Sequence, residues 1–210
     1  MIYELPDRAA AAAVADQPRL MAARAAWDRL AGVVHDDESL FEERAAAFVE
    51  WYLLDWRGDE GEEPSPIEGQ IAAAPPGERK ALAALAAGRR SLFQVLTAFP
   101  DGVLLDDLWG GATFRVHERR RLAGLSPGEL FEGRVAADLA TATDVAFLRT
   151  FCFHPREAEP AIRELVERAR ILHAEADHVL FRLLRLRVRC ERYRHVAPAR
   201  IYEAGEGMVG

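Results

Sequence analysis

The fold is decided by the stretch 91–154, which reads SLFQVLTAFPDGVLLDDLWGGATFRVHERRRLAGLSPGELFEGRVAADLATATDVAFLRTFCFH. Its apolar runs are short and rich in Val, Phe and Leu, residues that pack well in strands. Turn residues separate the runs at Pro100-Asp101-Gly102, at Asp106-Asp107 through Gly110-Gly111, and at Ser126-Pro127-Gly128. Short strands divided by turns in this way are typical of a small curled sheet or barrel.

Five strands are predicted within this stretch, at Leu92–Phe99, Val103–Leu105, Phe114–Val116, Leu130–Leu139 and Val145–Phe153. Gly133 lies inside the fourth of them, where a glycine typically marks a bulge or a bend that curls the sheet. We therefore expect a central small antiparallel β-sheet or barrel of about five strands.

Helices are predicted on both sides of the β-rich stretch, so the expected fold class is α+β. Apolar residues at three- and four-residue steps indicate N-terminal helices over Pro18–Val34 and from Asp36 or Asp37 to about Trp56. The expected organisation is an N-terminal helical segment over 1–57, an acidic flexible loop over 58–66, short helices over 67–90, the β-rich part over 91–154, one long C-terminal helix over 155–196 and a tail over 197–210.

The predicted C-terminal helix carries one regular apolar seam. Its residues follow alternating steps of three and four: Ile162, Leu165, Ala169, Leu172, Ala176, Val179, Leu183 and Leu186. A seam of this kind is typical of contact with another helix. The partner helix could belong to the N-terminal part of the same chain or to a second chain, and the sequence leaves both open.

The composition restricts the class of protein. The net charge is −7, which disfavours a wholly basic nucleic-acid-binding protein. No run of about 18 apolar residues suggests a membrane span, and the residues from Met1 to Asp7 lack the pattern of a secretory signal. Cys152 and Cys190 match no metal or redox spacing and are expected to be reduced thiols. We expect a cytoplasmic protein of bacterial type, with no cofactor and no membrane contact.

The charges are distributed unevenly along the chain. From Asp36 to Glu63 there are eleven acids and two arginines, whereas from Phe181 to Arg200 there are seven arginines and one acid. These segments could be solvated faces or could neutralise each other. The second also forms a candidate interaction surface, in which arginines would contact phosphates and the tyrosine would stack on a base. Its members are Arg182, Arg185, Arg187, Arg189, Arg192, Arg194 and Tyr193.

The sequence carries no recognisable catalytic motif. His117 with Asp106 and Asp107 is the best candidate for acid–base chemistry, but no activated nucleophile accompanies it and both aspartates occupy expected turn positions. No catalytic, cofactor-binding or metal-binding residue is therefore assigned. We expect a non-enzymatic interaction or scaffold protein that binds a protein partner or a second copy of itself. A nucleic-acid-associated module using the arginine-rich helix is the alternative, and an enzyme is the third hypothesis.

Overall fold

The computed structural model describes residues 4–117, 124–137 and 145–205, apart from the side chain of Arg149. The α+β class is confirmed. The strands in these residues are β1 (Arg89–Phe99), β2 (Gly102–Asp107), β3 (Ala112–His117), β4 (Leu130–Ala137) and β5 (Val145–His154). All five coincide with predicted strands, although the last two residues of the predicted Leu130–Leu139 lie outside the described part of the chain.

The five strands form a closed barrel in the order β1-β2-β3-β5-β4. Neighbouring strands are antiparallel except for β3 and β5, which run parallel at the pair Val116 and Val145. The prediction of a purely antiparallel sheet is therefore wrong for the pair of β3 and β5. An odd number of strands cannot alternate in direction around a closed ring, so one neighbouring pair has to be parallel.

Gly133 lies where β4 and β5 change register, which confirms the predicted bulge or bend. A Cβ atom at this position would lie 3.1 Å from the carbonyl oxygen of Thr150 and 3.1 Å from the ring of Phe131. A side chain would push the two strands apart. Glycine therefore permits the close approach of β4 and β5 that closes the barrel.

Aromatic side chains fill the barrel. The ring of Phe131 lies at its centre, with the rings of Phe93, Phe147, Phe151 and Phe153 at centroid distances of 5.4 to 5.8 Å. Aliphatic residues of β1, β2, β3 and β4 complete this core: Val95, Val103, Leu105, Val116 and Val135. The interior is thus a packed core rather than a channel.

Five helices precede the barrel: α1 (Glu4–Ala13), α2 (Gln17–Ala31), α3 (Phe41–Leu54), α4 (Pro66–Ala73) and α5 (Pro76–Ala86). Their core centres on Trp27 of α2, which packs against Phe48 and Trp51 of α3. The predicted start of α3 at Asp36 or Asp37 is wrong. The Glu38 carboxylate instead accepts hydrogen bonds from the His35 backbone N–H and from Arg192, so the preceding residues form a turn.

The long C-terminal helix predicted over 155–196 is instead a short 3₁₀ turn (Arg156–Ala158) followed by two helices, α6 (Glu159–Ile171) and α7 (Ala176–Arg192). His173 ends α6 in the left-handed conformation, with φ of 53°. The N–H of Ala174 bonds to the Ala169 carbonyl, and that of His173 to the Arg170 carbonyl. These two bonds define a Schellman motif, which stops the helix and turns the chain.

The segment predicted as a tail contains a further helix, α8 (Pro198–Ala204). Ile201 and Tyr202 of α8 are buried in a core shared with α6 and α7. That core also receives Leu92 of β1 and Leu130 of β4, so the C-terminal helices are packed on the outside of the barrel. Residues 206–210 of the predicted tail lie outside the described chain.

Candidate functional site

The apolar seam predicted on the C-terminal helix is used mainly inside the chain. Ile162 and Leu165 of α6 share one core with Val179, Leu183 and Leu186 of α7. Ala169 and Ala176 are partly buried. Both helices therefore contribute apolar residues of the seam to one core, which also includes Leu92 and Leu130 of the barrel. The sequence left open whether the seam contacts a helix of the same chain or of a second chain. In the structure, most of the seam residues are buried within one chain.

Leu172 is the exception among the eight predicted seam residues, with 59% of its surface exposed. Ile171, the residue before it, is 68% exposed. Both lie at the C-terminal end of α6, directly before the left-handed His173. Two consecutive residues with large aliphatic side chains thus lie at a turn whose backbone is fixed by hydrogen bonds.

The β2–β3 turn adjoins the end of α6. An Arg170 guanidinium nitrogen lies 3.6 Å from the place where a Cβ atom of Gly111 would be. Trp109 of the same turn is half-buried and packs against the core shared by α6 and α7. We call the set of Trp109, Arg170, Ile171 and Leu172 the tip patch.

Most members of the predicted arginine surface bond within the chain. Arg185 donates to the Leu30 carbonyl at 2.6 Å. Arg192 donates to Glu38 at 2.6 and 2.8 Å, and these bonds hold the pKa of the Glu38 carboxyl well below its usual value. Acidic residues before the barrel therefore pair with the arginine-rich helix at this point, as one of the two interpretations of the charge asymmetry expected.

The other members of the predicted arginine surface, in α7 and just after it, differ in exposure. Arg187 donates to the Phe153 carbonyl and to Glu191, and Arg194 also bonds to Glu191. Arg189 is exposed, Arg182 is partly buried, and Tyr193 is 49% exposed. The set surrounds α7 and does not form one continuous basic stripe.

Charged side chains are buried where the helices meet the barrel, a feature that sequence reasoning missed. Arg90 of β1 donates to Glu132 of β4 at 2.9 Å, and its guanidinium lies 4.8 Å from the ring centroid of Phe181. Arg44 of α3 is 3% exposed and lies 5.2 Å from the ring centroid of Trp27. Burial raises the pKa of Glu132, against the opposing effect of Arg90.

The two cysteines are free and buried, Cys152 in β5 and Cys190 in α7 as the sequence predicted. Burial raises the pKa of the Cys152 thiol well above its usual value, and the nearby Glu43 carboxylate adds to this effect. Burial likewise raises the pKa of Cys190. A thiol that stays protonated is a poor nucleophile, so this environment favours a structural role for both.

The proposed acid–base pair of His117 with Asp106 or Asp107 is not formed. His117 pairs with Gly102 at one end of the β2–β3 ladder, whereas Asp106 pairs with Thr113 four residues away, roughly 13 Å along the strand. Asp107 is fully buried and its carboxylate accepts hydrogen bonds from the backbone N–H groups of Trp109 and Gly110. It stabilises the turn that the sequence had assigned to it.

No family model, curated protein or solved structure matches this chain. Within the described ranges, no group of three or more His, Cys, Asp or Glu side chains could hold a metal ion. None of the helices in those ranges is both long and apolar enough to cross a membrane.

Proposed function

We propose that this protein is a non-enzymatic interaction protein whose contact site is the tip patch. The exposure of two consecutive aliphatic side chains, Ile171 and Leu172, carries the proposal. Single apolar residues are common on protein surfaces, whereas large exposed apolar side chains that occur together favour a binding site. The Schellman motif holds their backbone in place before binding, which lowers the conformational entropy lost on association.

The residues around the two aliphatic side chains fit the same role. Trp and Arg are enriched in protein interfaces and in their energetic hot spots, and the patch contains Trp109 and Arg170. The partner is a protein, either a second copy of this chain or a different one. Because the patch contains few residues, we expect a weak or transient complex of modest buried area.

Nucleic-acid binding by the arginine-rich helix is the less favoured alternative function. Arg185, Arg187, Arg192 and Arg194 each make hydrogen bonds inside the chain. A phosphate would have to compete with these bonds. The acidic partners Glu38 and Glu191 would also repel the nucleic-acid backbone at the same surface.

Site-specific photo-cross-linking tests the tip patch. A photoreactive phenylalanine analogue replaces Leu172 in the full chain, which is expressed in its native host and irradiated. We expect one discrete adduct, whose mass shows whether the partner is a second copy or another protein. The matched control places the same analogue at Met21 of α2, which is 65% exposed and distant in sequence from the patch.

A further substitution makes the test specific. Ile171→Ser in the cross-linking protein should remove most of the adduct, while circular dichroism shows an unchanged fold because the residue is exposed. Equal adducts from positions 172 and 21, no adduct from position 172, or an adduct that survives Ile171→Ser would each contradict the proposal.

A further inference from the structure

The last helix of the described chain is anchored through one buried histidine. The hydroxyl of Tyr202 in α8 lies 2.7 Å from Nδ1 of His154, the last residue of β5. Tyr202 is fully buried and His154 is 2% exposed. The other ring nitrogen of His154, Nε2, is buried and has no hydrogen-bond partner among the described residues. The site therefore suits a neutral imidazole, because a charged one would be buried without an opposite charge.

The positive charge of Arg187 opposes a second positive charge on this histidine. Arg187 of α7 donates to the carbonyl of Phe153, the residue before His154. Two carboxylates of the surrounding elements are partly buried, Glu159 of α6 and Glu191 of α7, and Glu191 accepts a hydrogen bond from Arg187 at 2.7 Å. The buried titratable groups near Tyr202 include Cys190 of α7, Cys152 of β5 and Glu132 of β4. The exposed ones include Arg156 and Glu157 of the 3₁₀ turn, Arg163, Glu164, Glu167 and Arg168 of α6, and Arg200 and Glu203 of α8.

The docked position of α8 covers apolar surface. Ile201 and Tyr202 occupy a core that contains Ile162 of α6 and Leu186 of α7. At the end of α8, a Cβ atom on Gly205 would lie only 2.8 Å from the Leu186 side chain, so the backbone there is in close contact with α7. Removal of α8 would expose this part of the core to solvent.

We propose that α8 is an acid-sensitive strap, which leaves the core when His154 gains a proton and thereby uncovers the apolar surface between α6 and α7. Protonation places a charge beside Arg187 in a buried site while α8 is docked. When α8 is released, water can reach the imidazole, and the free-energy cost of burying its charge is removed. The strap is separate from the tip patch and does not depend on its function.

The direction of the pH dependence follows from the two states of the histidine. Burial, with a smaller contribution from Arg187, lowers the pKa of His154 to about 3 when α8 is docked. In the released state its pKa returns to about 6.5. The released form therefore binds the proton more tightly, so docking is strongest above pH 6.5 and weakens about tenfold for each pH unit below it until about pH 3.

Hydrogen–deuterium exchange of the full chain, read by mass spectrometry at pH 7.5 and pH 5.0 and corrected for intrinsic rates, tests the strap. Peptides from Pro198–Ala204 should lose about 30-fold in protection at pH 5.0, because 1.5 pH units separate this pH from the ordinary histidine pKa. Peptides from α3 and β4 should keep their protection. Retained protection of α8, or a parallel loss in α3 and β4, would overturn the proposal.

Two variants separate the histidine from general acid effects. His154→Asn places an amide near the position of Nδ1 but does not titrate, so α8 should exchange equally at both pH values. Tyr202→Phe removes only the hydroxyl, so α8 should exchange faster at both pH values while α3 stays protected. A pH response in His154→Asn equal to that of the parent, or unchanged α8 exchange in Tyr202→Phe, would contradict the strap.

Discussion

Arg134 shows how single charged residues join the helices to the barrel. This β4 residue is 3% exposed, donates to the Gly88 carbonyl at 2.8 Å and forms ion pairs with Glu50 and Asp55 of the α3 region. Burial raises the pKa of Glu50, which Arg134 opposes. One guanidinium thus bonds to Glu50 of α3, to Asp55 after α3 and to the connection between α5 and β1. Its removal would leave the Glu50 carboxyl group buried without its cation.

The substitution Arg134→Met should therefore destabilise the protein strongly. We expect a loss of about 3–5 kcal/mol in the free energy of unfolding, measured by chemical denaturation, because Glu50 would remain buried without its cation. Arg8→Met is the matched control, since Arg8 and Glu78 form an exposed ion pair at 3.0 Å. Its effect should stay within about 0.5 kcal/mol. Similar losses in the two variants would show that burial of the ion pair is unimportant.

At the scale of elements, the α6–α7 turn determines which surface the C-terminal half exposes. The turn ends α6 with His173 at a position that glycine usually occupies. A side chain in the left-handed conformation costs roughly 1 kcal/mol. The cost is offset by the hydrogen bonds of the Schellman motif and by the burial of the stripes on α6 and α7.

Replacement of this histidine by glycine tests the strain at the turn. His173→Gly should raise the free energy of unfolding by about 0.5–1 kcal/mol in chemical denaturation, because the strain is removed. Ala174→Gly, at the next residue, has no such strain to relieve and should lower the free energy by about 0.5–1 kcal/mol through added chain entropy. The same sign in both variants would mean that the positive φ of His173 carries no strain.

At the scale of the whole molecule, one aromatic cluster connects the N-terminal helices, the C-terminal helices and the barrel. Phe181 of α7 lies 5.4 Å from Trp27 and 5.8 Å from Trp51, as measured between ring centroids, and the guanidinium of Arg90 of β1 lies 4.8 Å from its ring centroid. Contacts from α2, α3 and β1 therefore meet at a single side chain of α7. This arrangement favours cooperative unfolding of the described parts as one unit.

Two spectroscopic probes can test this cooperativity. Tryptophan fluorescence reports on Trp27, Trp51 and Trp56 in the helical layer and on Trp109 in the β2–β3 turn, while far-UV circular dichroism reports on all elements. We expect coincident transitions in the parent and in Phe181→Ala, with the variant less stable by about 3–5 kcal/mol. Phe99→Ala, at a side chain that is 40% exposed, should lose far less. Separate transitions for the two probes would contradict a single unit.

Local signals explain which parts of the fold were predictable. The strands were recovered because glycine, proline and aspartate define the turns between them, and Gly133 marked a real change of register. The break between α6 and α7 was missed because a histidine takes the place of the expected glycine. The buried charges were missed because an arginine such as Arg44 or Arg134 has the same sequence signature in solvent and in a core.

The sequence by itself determined the α+β class, the five strands and the apolar stripe of the C-terminal segment, because turn chemistry and side-chain periodicity act over a few residues. Only the tertiary structure decided that the stripe folds back on its own barrel, that Leu172 and Ile171 remain exposed, and that Tyr202 closes over His154. Periodicity shows that a face is apolar but carries no information on what covers it. That choice depends on contacts between residues far apart in the chain, such as those of Phe181 with Trp27.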